Sequence, residues 1–584
     1  MDSRQVKTPM YMLYCVLVAC IGSFCNGWTI GCSNLPGQVT HACNSGDQHI
    51  ANPALPDCLP MSTSLWGFAV ASFCVGGLVG GVSGGAIQTR YGRKNTIIYN
   101  TAGWIVGGLL IGLSYNVTMF IIGRILCGIS CGLGSLTTPT YVGETSSIRS
   151  RGAMGALNQF LIVIGILLSS VVGLPTSYVP YWRINFAIVG IPAVLQAVLM
   201  PTCVESPRWL LSNNRLEEAR HALQKLRGED VSIENEFYEI LEGHFGSVGA
   251  QKALRQLKLP TSFGNGGMIN ENEKEQIDNN NNNNNNSIIH EPQTTTDEKT
   301  NVNETLEQHS DDVVAVAQEK ITHSDDSSDI KSSEIETIVI EAPEGVVPQE
   351  HQLDAGLHKQ MNIIKIFTDP LIRRIAFVVL THHAIQQLSG MNAVMYYSTT
   401  IFKSAFNEEM SKYMAIATTA VNFVVTMAAV LFMDRMGRRP LLMMAEAGAC
   451  LFSVLLVIGY AYNVPALLVV SVFMYVASFA IGIGPIPWLI TSELTPTYAS
   501  SSVGAVATGV NWAMNFLIGQ IFPVIFEAIS GYSFVIFAAV CFFAFWFTFF
   551  MLPESKNRSI ENIVRGFEHK HHQPVDNSET KTIS

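Results

Sequence analysis

Long apolar runs alternate with short polar, glycine-rich or basic joints along most of the chain. A helix needs roughly 20 mostly apolar residues to cross a hydrocarbon core of about 30 Å. Twelve runs reach that length, at about 11–32, 66–88, 95–114, 117–138, 153–173, 182–203, 375–399, 412–434, 440–462, 466–492, 503–526 and 531–552. The pattern predicts twelve membrane spans, numbered here in chain order. Span 7 stands apart because Gln386 to Tyr397, QQLSGMNAVMYY, packs two adjacent amides, a Gly, an Asn and two tyrosines into it. A polar group in hydrocarbon costs several kcal/mol unless it finds a partner. Two readings are open at this point: amides and small residues as glue between helices, or a wet cavity for a neutral, polyhydroxylated ligand.

Composition agrees with the pattern. Of 584 residues, 48% are hydrophobic and 14% charged, against about 25% charged in soluble domains. Mean hydropathy is +0.27. The first run is longer than a signal-peptide core, lacks a clear small-residue cleavage site and precedes eleven further runs, so it is expected to stay. The fold class is therefore an all-α polytopic membrane protein. Neither a nucleophile–base constellation nor a metal-ligand spacing stands out, so no catalytic residues, metal or cofactor are expected, and the His382–His383 pair reads as isolated. The protein is not read as an enzyme.

Lys and Arg concentrate in joints of one parity: Arg90, Arg93 and Lys94; Arg149 and Arg151; Arg435, Arg438 and Arg439; Lys556 and Arg558. The positive-inside rule then puts both termini and the central loop in the cytoplasm. The formal charge of −11 comes largely from that central loop and does not point to nucleic acid. Cys43 and Cys58 occupy the first outer loop, where a bridge between them is plausible. Asn116-Val-Thr118 is a glycosylation sequon on the same side, in a very short loop.

The chain also repeats itself. RYGRK at Arg90–Lys94 returns as RMGRR at Arg435–Arg439, 345 positions on. Glu144 of YVGETS returns as Glu493 of ITSELT, and Glu205 of VESPR as Glu554 of PESKNR, both 349 positions on. Such a parallel repeat predicts two six-helix halves with a ligand between them near the bilayer midplane, as in secondary transporters. The divisions expected are an N-terminal bundle at 1–203, cytoplasmic linker helices at 204–245, an insert at 246–358, a C-terminal bundle at 359–552 and a tail at 553–584. Leu216, Ala219, Leu223 and Leu226 share one face of a linker helix. The insert is acidic and polar with eight consecutive asparagines, Asn279 to Asn286, and is expected to be disordered. Its partners are unknown.

These residues resemble the sugar-porter family of the major facilitator superfamily. RYGRK with RMGRR, GRILCGISCGL, YVGE, SRGA, VESPRWLL, QQLSGMNAVMYYS, GPIPWLITSEL, NWAMNF and PESKNR all match it, across nearly everything but the insert and tails. The match is nearest to facilitative hexose transporters and fungal-type hexose transporters. The resemblance implies twelve helices working by alternating access. It implies sugar contacts at Gln159, Gln386, Gln387, Asn392, Asn422, Trp488, Asn511 and Asn515, with Ile162 and Ile166 as an apolar wall. Amides suit hydroxyls because each carries both donors and an acceptor. It further implies a gate at Tyr396 and Tyr397, and a bending inner segment at Pro485 and Pro487, where Gly482 and Gly484 also interrupt span 10. Arg93, Glu144, Arg151, Glu205, Arg435, Arg438, Glu493 and Glu554 would latch the two halves together on the cytoplasmic side.

Departures from the family pattern sharpen the expectation. Thr29 stands where proton-coupled relatives carry an Asp, which favours a facilitative uniporter. Ser500 replaces an Arg common after the span 10 Glu, and Thr89 an acidic residue, which should weaken the latch. Cys25, His383-Ala384-Ile385 and Ala480 shift weight toward fructose or broad hexose use, while Trp488 pulls back toward glucose. The expected function is hexose transport, glucose and fructose both open, in the plasma membrane with the bilayer and the sugar as partners. The alternatives are a proton-coupled symporter and a non-transporting sugar sensor.

Overall fold

The computed structural model describes residues 9–43, 55–147, 150–257 and 363–556. The predicted insert lies outside the described residues except at its start, where the helix Glu234–Gln256 runs on past position 246 with a bend at Gly246.

Among the described residues, nine stretches are long and apolar enough to cross a membrane by length and composition. The last, Ser502–Met551, covers parts of two helices, Thr497–Ile529 and Phe534–Met551. Two more crossings are too polar or too short to qualify on composition alone. They are Arg93–Gly112 and the pair Pro370–Leu388 with Met391–Lys403. Together these make the twelve spans of the major facilitator fold, six in each half.

Local chemistry sets many of the helix ends. Ser62, Asn116, Asp369 and Asn407 each accept a backbone N–H of the first turn, a cap that contributes about 1 kcal/mol. Asn116 of the predicted sequon is thus the N-cap of span 4, at 2.8 Å from the Met119 N–H. In both basic joints the chain turns through a glycine with positive φ, 89° at Gly92 and 91° at Gly437, which residues with a Cβ rarely adopt.

Within the N-terminal half span 1 packs on span 5, and span 4 on spans 2 and 3. Within the C-terminal half span 9 packs on spans 10 and 12, and span 7 on span 11. The seam between halves is made by span 2 against span 11 and span 5 against span 8. Arg124 of span 4 is fully buried in the N-terminal core. It donates to the Val70 carbonyl at 2.8 Å and the Thr29 carbonyl at 3.0 Å, and lies 4.7 Å from the Phe73 ring centroid. A buried charge is tolerated only with such partners, so Arg124 ties spans 1, 2 and 4 together.

At the end of the bundle opposite the basic joints Cys43 and Cys58 form a disulfide. The residues just before Cys58 are pinned by Trp182, which donates to the Asp57 carbonyl, and Arg183, which donates to that of Pro56. On the opposite side the helix Leu216–Arg227 buries Ala219, Leu223 and Leu226 as its periodicity predicts. Its last residue, Arg227, donates to the Thr145 carbonyl at 2.9 Å and pairs with Glu236 at 2.7 Å.

Candidate functional site

Two broken helices build the site. Span 7 is not the single helix its hydropathy implied. It stops at Leu388 and restarts at Met391, with Gly390 between at φ 95°. Span 10 runs from Pro465 to Ser478, passes through a π-turn at Phe479–Ile483, and resumes at Ile486–Leu494. π-turns and prolines both leave carbonyls without helical partners, and orphaned carbonyls in a membrane need donors. Gln386 supplies them, since its Nε2 donates to the Ile483 carbonyl at 3.2 Å and also to that of Gly484. In return Tyr475 of span 10 donates its hydroxyl to the Ser389 carbonyl at the span 7 break. Each break is held by a side chain from the other.

From Gln386 a chain of amides runs outward. Asn511 Nδ2 of span 11 donates to Gln386 Oε1 at 2.6 Å, Gln387 Nε2 donates to Asn511 Oδ1 at 3.0 Å, and Asn392 Nδ2 donates to Gln387 Oε1 at 2.5 Å. Gln386 and Asn511 are buried, whereas Gln387 and Asn392 are half-buried. The exchangeable end of the chain is therefore Gln387 and Asn392. His383, absent from the sequence-based site, belongs to the cluster: its Nε2 meets Thr491 Oγ1 at 2.9 Å and its carbonyl accepts from Asn511. A run of alternating donors and acceptors with no net charge suits neutral hydroxyls.

The two tyrosines lie just beyond the amides. Tyr396 donates to Asn515 Oδ1 at 2.8 Å and Tyr397 to the Gly519 carbonyl at 2.9 Å, both buried. Tyr396 also meets Phe73 of the other half edge-to-face at 6.0 Å. Further out, Asn34 forms a seam that the sequence did not reveal. Its Nδ2 donates to Ser398 Oγ, and its Oδ1 accepts from the Thr399 N–H and hydroxyl. Lys403 adds a bond to Gln38 at 2.6 Å, and Gln520 donates to the Ser64 carbonyl at 3.2 Å. These five hydrogen bonds across the halves all lie toward the end of the bundle that carries the disulfide.

Beside Asn515, which bonds Tyr396, three predicted contacts stay apart from the amide chain. Asn422 is buried and bonds Thr426 of its own helix at 3.5 Å. Gln159 stands half-buried on span 5. Trp488 is 38% exposed and touches the cluster only through its contact with the His383 ring at 4.7 Å.

Sequence and fold comparisons converge on one family. The family described as "Sugar (and other) transporter" matches residues 15–262 and 329–567. The chain belongs to the sugar transporter family. Among its relatives, the rabbit (Oryctolagus cuniculus) "Solute carrier family 2, facilitated glucose transporter member 3" is 31% identical over 575 residues, covering 96% of this chain and 93% of the relative. The mouse (Mus musculus) protein of the same name is 30% identical over 582 residues, covering 97% and 94%. The fold matches the xylose transporter XylE from E. coli in a partially occluded inward open conformation. There the TM-score is 0.62 and identity 20%, covering 94% of this chain and all of that one.

In this sugar transporter the motif residues of the basic joints form two matching clusters, one per half. Arg93 pairs with Glu144 at 2.9 Å, and the Arg93 and Lys94 N–H groups donate to Glu205. Arg438 pairs with Glu493 at 2.9 Å, and the Arg438 and Arg439 N–H groups donate to Glu554. Ser206 and Ser555 complete them by donating to Glu144 and Glu493. Lys94 and Arg439 each donate to a carbonyl near the end of the last span of their half, Pro201 and Phe549. Burial pushes the Glu205 carboxyl up from its ordinary value, against the pull of the Lys94, Ser206 and Arg93 N–H groups. Each described motif pair joins groups of one half, so the expected contact between halves is not what these charges make here. Helix ends lined with free N–H groups are the nearer partners for a carboxylate. The Arg151 and Arg435 side chains lie outside the described residues.

Thr29, at the position where a coupling carboxylate was considered, donates to the Cys25 carbonyl of its own helix at 2.9 Å. The His382–His383 pair is not isolated: His382 reaches Glu446 of span 9 through Thr548 of span 12.

Proposed function

We propose that the protein carries a hexose across the plasma membrane by alternating access, as a facilitative uniporter with both termini and the central segment in the cytoplasm. The observation that carries this reading is the uncharged amide chain of Gln386, Asn511, Gln387 and Asn392, strung between two mutually braced helix breaks. A sugar hydroxyl that enters at Gln387 and Asn392 exchanges one amide–amide bond for two amide–hydroxyl bonds. Each gain is about 0.5–1.5 kcal/mol net, and several together reach the roughly −4 kcal/mol of a millimolar site. Weak binding serves a carrier, which must also release.

The breaks supply the motion. With the outer seam at Asn34 and the tyrosines closed, access is from the cytoplasmic side. Parting of the Asn34 seam and rotation of the Met391–Lys403 segment about Gly390 would open the outside. The charge clusters would then exchange partners between halves, the latch that the sequence motifs imply. Gln159, Asn422 and Trp488 would reach the sugar only after such a movement. Uniport rather than symport is supported by Thr29, whose hydroxyl is engaged within its own helix.

Uptake of labelled glucose and fructose into transporter-deficient cells tests the reading, with saturable uptake expected. Absence of any hexose uptake despite surface expression would overturn it. Accumulation against a gradient that collapses with a protonophore would overturn uniport.

A further inference from the structure

Glu446 is a carboxylate-bearing residue in the middle of the C-terminal core that the sugar site does not use. It lies on span 9, is fully buried, and its Oε2 has no hydrogen-bond partner. Its Oε1 is 2.9 Å from the Thr548 hydroxyl oxygen of span 12. That same oxygen is 3.2 Å from His382 Nε2 of span 7, and His382 Nδ1 is 2.7 Å from the Val378 carbonyl oxygen.

Counting hydrogens along this chain decides its protonation. The Val378 carbonyl only accepts, so Nδ1 carries a hydrogen and, in a neutral ring, Nε2 is an acceptor. With Glu446 ionised, the one Thr548 hydrogen faces two acceptors, and one of the two contacts is left without a hydrogen. One proton added from water removes the conflict. Glu446 then donates to Thr548, Thr548 to His382, and His382 to Val378. Placing that proton on His382 instead would leave two buried charges with Oε2 unpaired, the costlier arrangement in hydrocarbon.

We propose that Glu446, Thr548 and His382 form a proton-binding site, with the proton held on Glu446, and that its occupancy sets the rate of sugar movement through span 7. The neighbouring groups leave room for no other counter-charge among the described residues. Cys450 on its own helix, Cys541 of span 12 and, beyond it, Tyr475 of span 10 are the other titratable groups near it. The π-turn of span 10 that packs on span 9 contributes only Phe, Ala, Ile and Gly. Among its described side chains, span 8 carries its charged groups only near its start, at Glu408, Glu409 and Lys412. Arg438 and Arg439 of span 9 are held by Glu493, Glu554 and the Phe549 carbonyl. His382 is adjacent in the chain to His383, which accepts from Asn511 of the amide chain. All three helices of the cluster belong to one half, so the proton biases that half's packing rather than travelling with the sugar.

The test is infrared difference spectroscopy against pH on the purified full-length protein in lipid. Wild type should give a carboxylic-acid C=O band that titrates as one proton. E446Q, close to isosteric, should lose it. H382F removes the competing acceptor, relieves the ionised form and should move the band's disappearance about one pH unit lower. An unchanged band in E446Q, or a wild-type spectrum with ionised Glu446 at every pH, would overturn the site. The link to rate rests on the sugar-transport reading and is measured as hexose exchange in proteoliposomes at equal pH on both sides. Wild type should follow the band's midpoint and E446Q should be flat. A wild-type rate that ignores pH while the band titrates would overturn the link. No hexose flux at all, with the band intact, would overturn the transport reading and leave the proton site standing.

Discussion

The two halves are copies at the end that carries the basic joints and different proteins in the middle of the bundle. Spans 1 and 4 run unbroken, Met10–Gly31 and Val117–Thr145, while their counterparts 7 and 10 are interrupted at Gly390 and at the π-turn. In the N-terminal half the buried Arg124 is held by backbone carbonyls and an aromatic face, groups fixed within the fold. The C-terminal half leaves amides bonded to amides, which a ligand can replace. The repeat is kept where helix ends and charges impose the same local chemistry on both copies. It is lost where one copy gave up helical hydrogen bonds and had to satisfy them from neighbouring helices. The half proposed to bind is the one with broken backbone.

The strongest way to break this contrast is to attack the amide chain. Asn511→Ala removes the donor to Gln386 and the acceptor of Gln387 at once, leaving buried groups unpaired at about 1–3 kcal/mol each. The KM for hexose uptake should rise at least about tenfold, from 1.4 kcal/mol per decade. Arg124→Gln in the other half should instead lower the thermal stability of the purified protein. A rise in KM alone there would erase the distinction.

Asn34→Ala deletes three hydrogen bonds of the outer seam. At about 1 kcal/mol net for each, about 3 kcal/mol together, the ratio of outward- to inward-facing protein should rise on the order of 100-fold. Labelling of a cysteine placed at Ile401, buried on the same helix, by a membrane-impermeant maleimide reads the shift, and unchanged labelling would remove Asn34 from the seam.

The equivalence of the cytoplasmic clusters is sharpened by a matched pair, Glu205→Gln and Glu554→Gln. Each weakens the carboxylate that accepts two successive N–H groups, and the two should lower melting temperature by similar small amounts. A loss confined to one half would show that the copies have diverged there too. Smallest of all, Tyr397→Phe removes one hydroxyl bond to the Gly519 carbonyl, and hexose uptake should change by no more than several-fold.

Much of this was legible in the chain. Apolar runs of bilayer length, basic joints on one side and three motif pairs at one spacing fixed the spans, the orientation expected and the two halves, because bilayer thickness and helix rise leave few alternatives. The amide-rich stretch announced itself by the cost of burying it. What stayed hidden was pairing. Nothing in the sequence says that Asn34 meets Ser398 and Thr399, that Tyr475 caps the span 7 break, or that His382 reaches Glu446. Trp488 and Asn422 looked equal to Gln386 as letters and are not equal in space.

The division has a physical reason. Hydropathy, helix caps, glycine turns and charge at helix ends act over a turn or two of one helix, so the sequence alone determined where the chain crosses, where it turns and which side carries its charges. Buried hydrogen bonds between residues 86 to 365 positions apart depend on which helices lie side by side, and on where two of them break. Only the tertiary structure decided that Gln386 would answer the carbonyls of span 10, and so turned a row of amides into one connected hydrogen-bond chain.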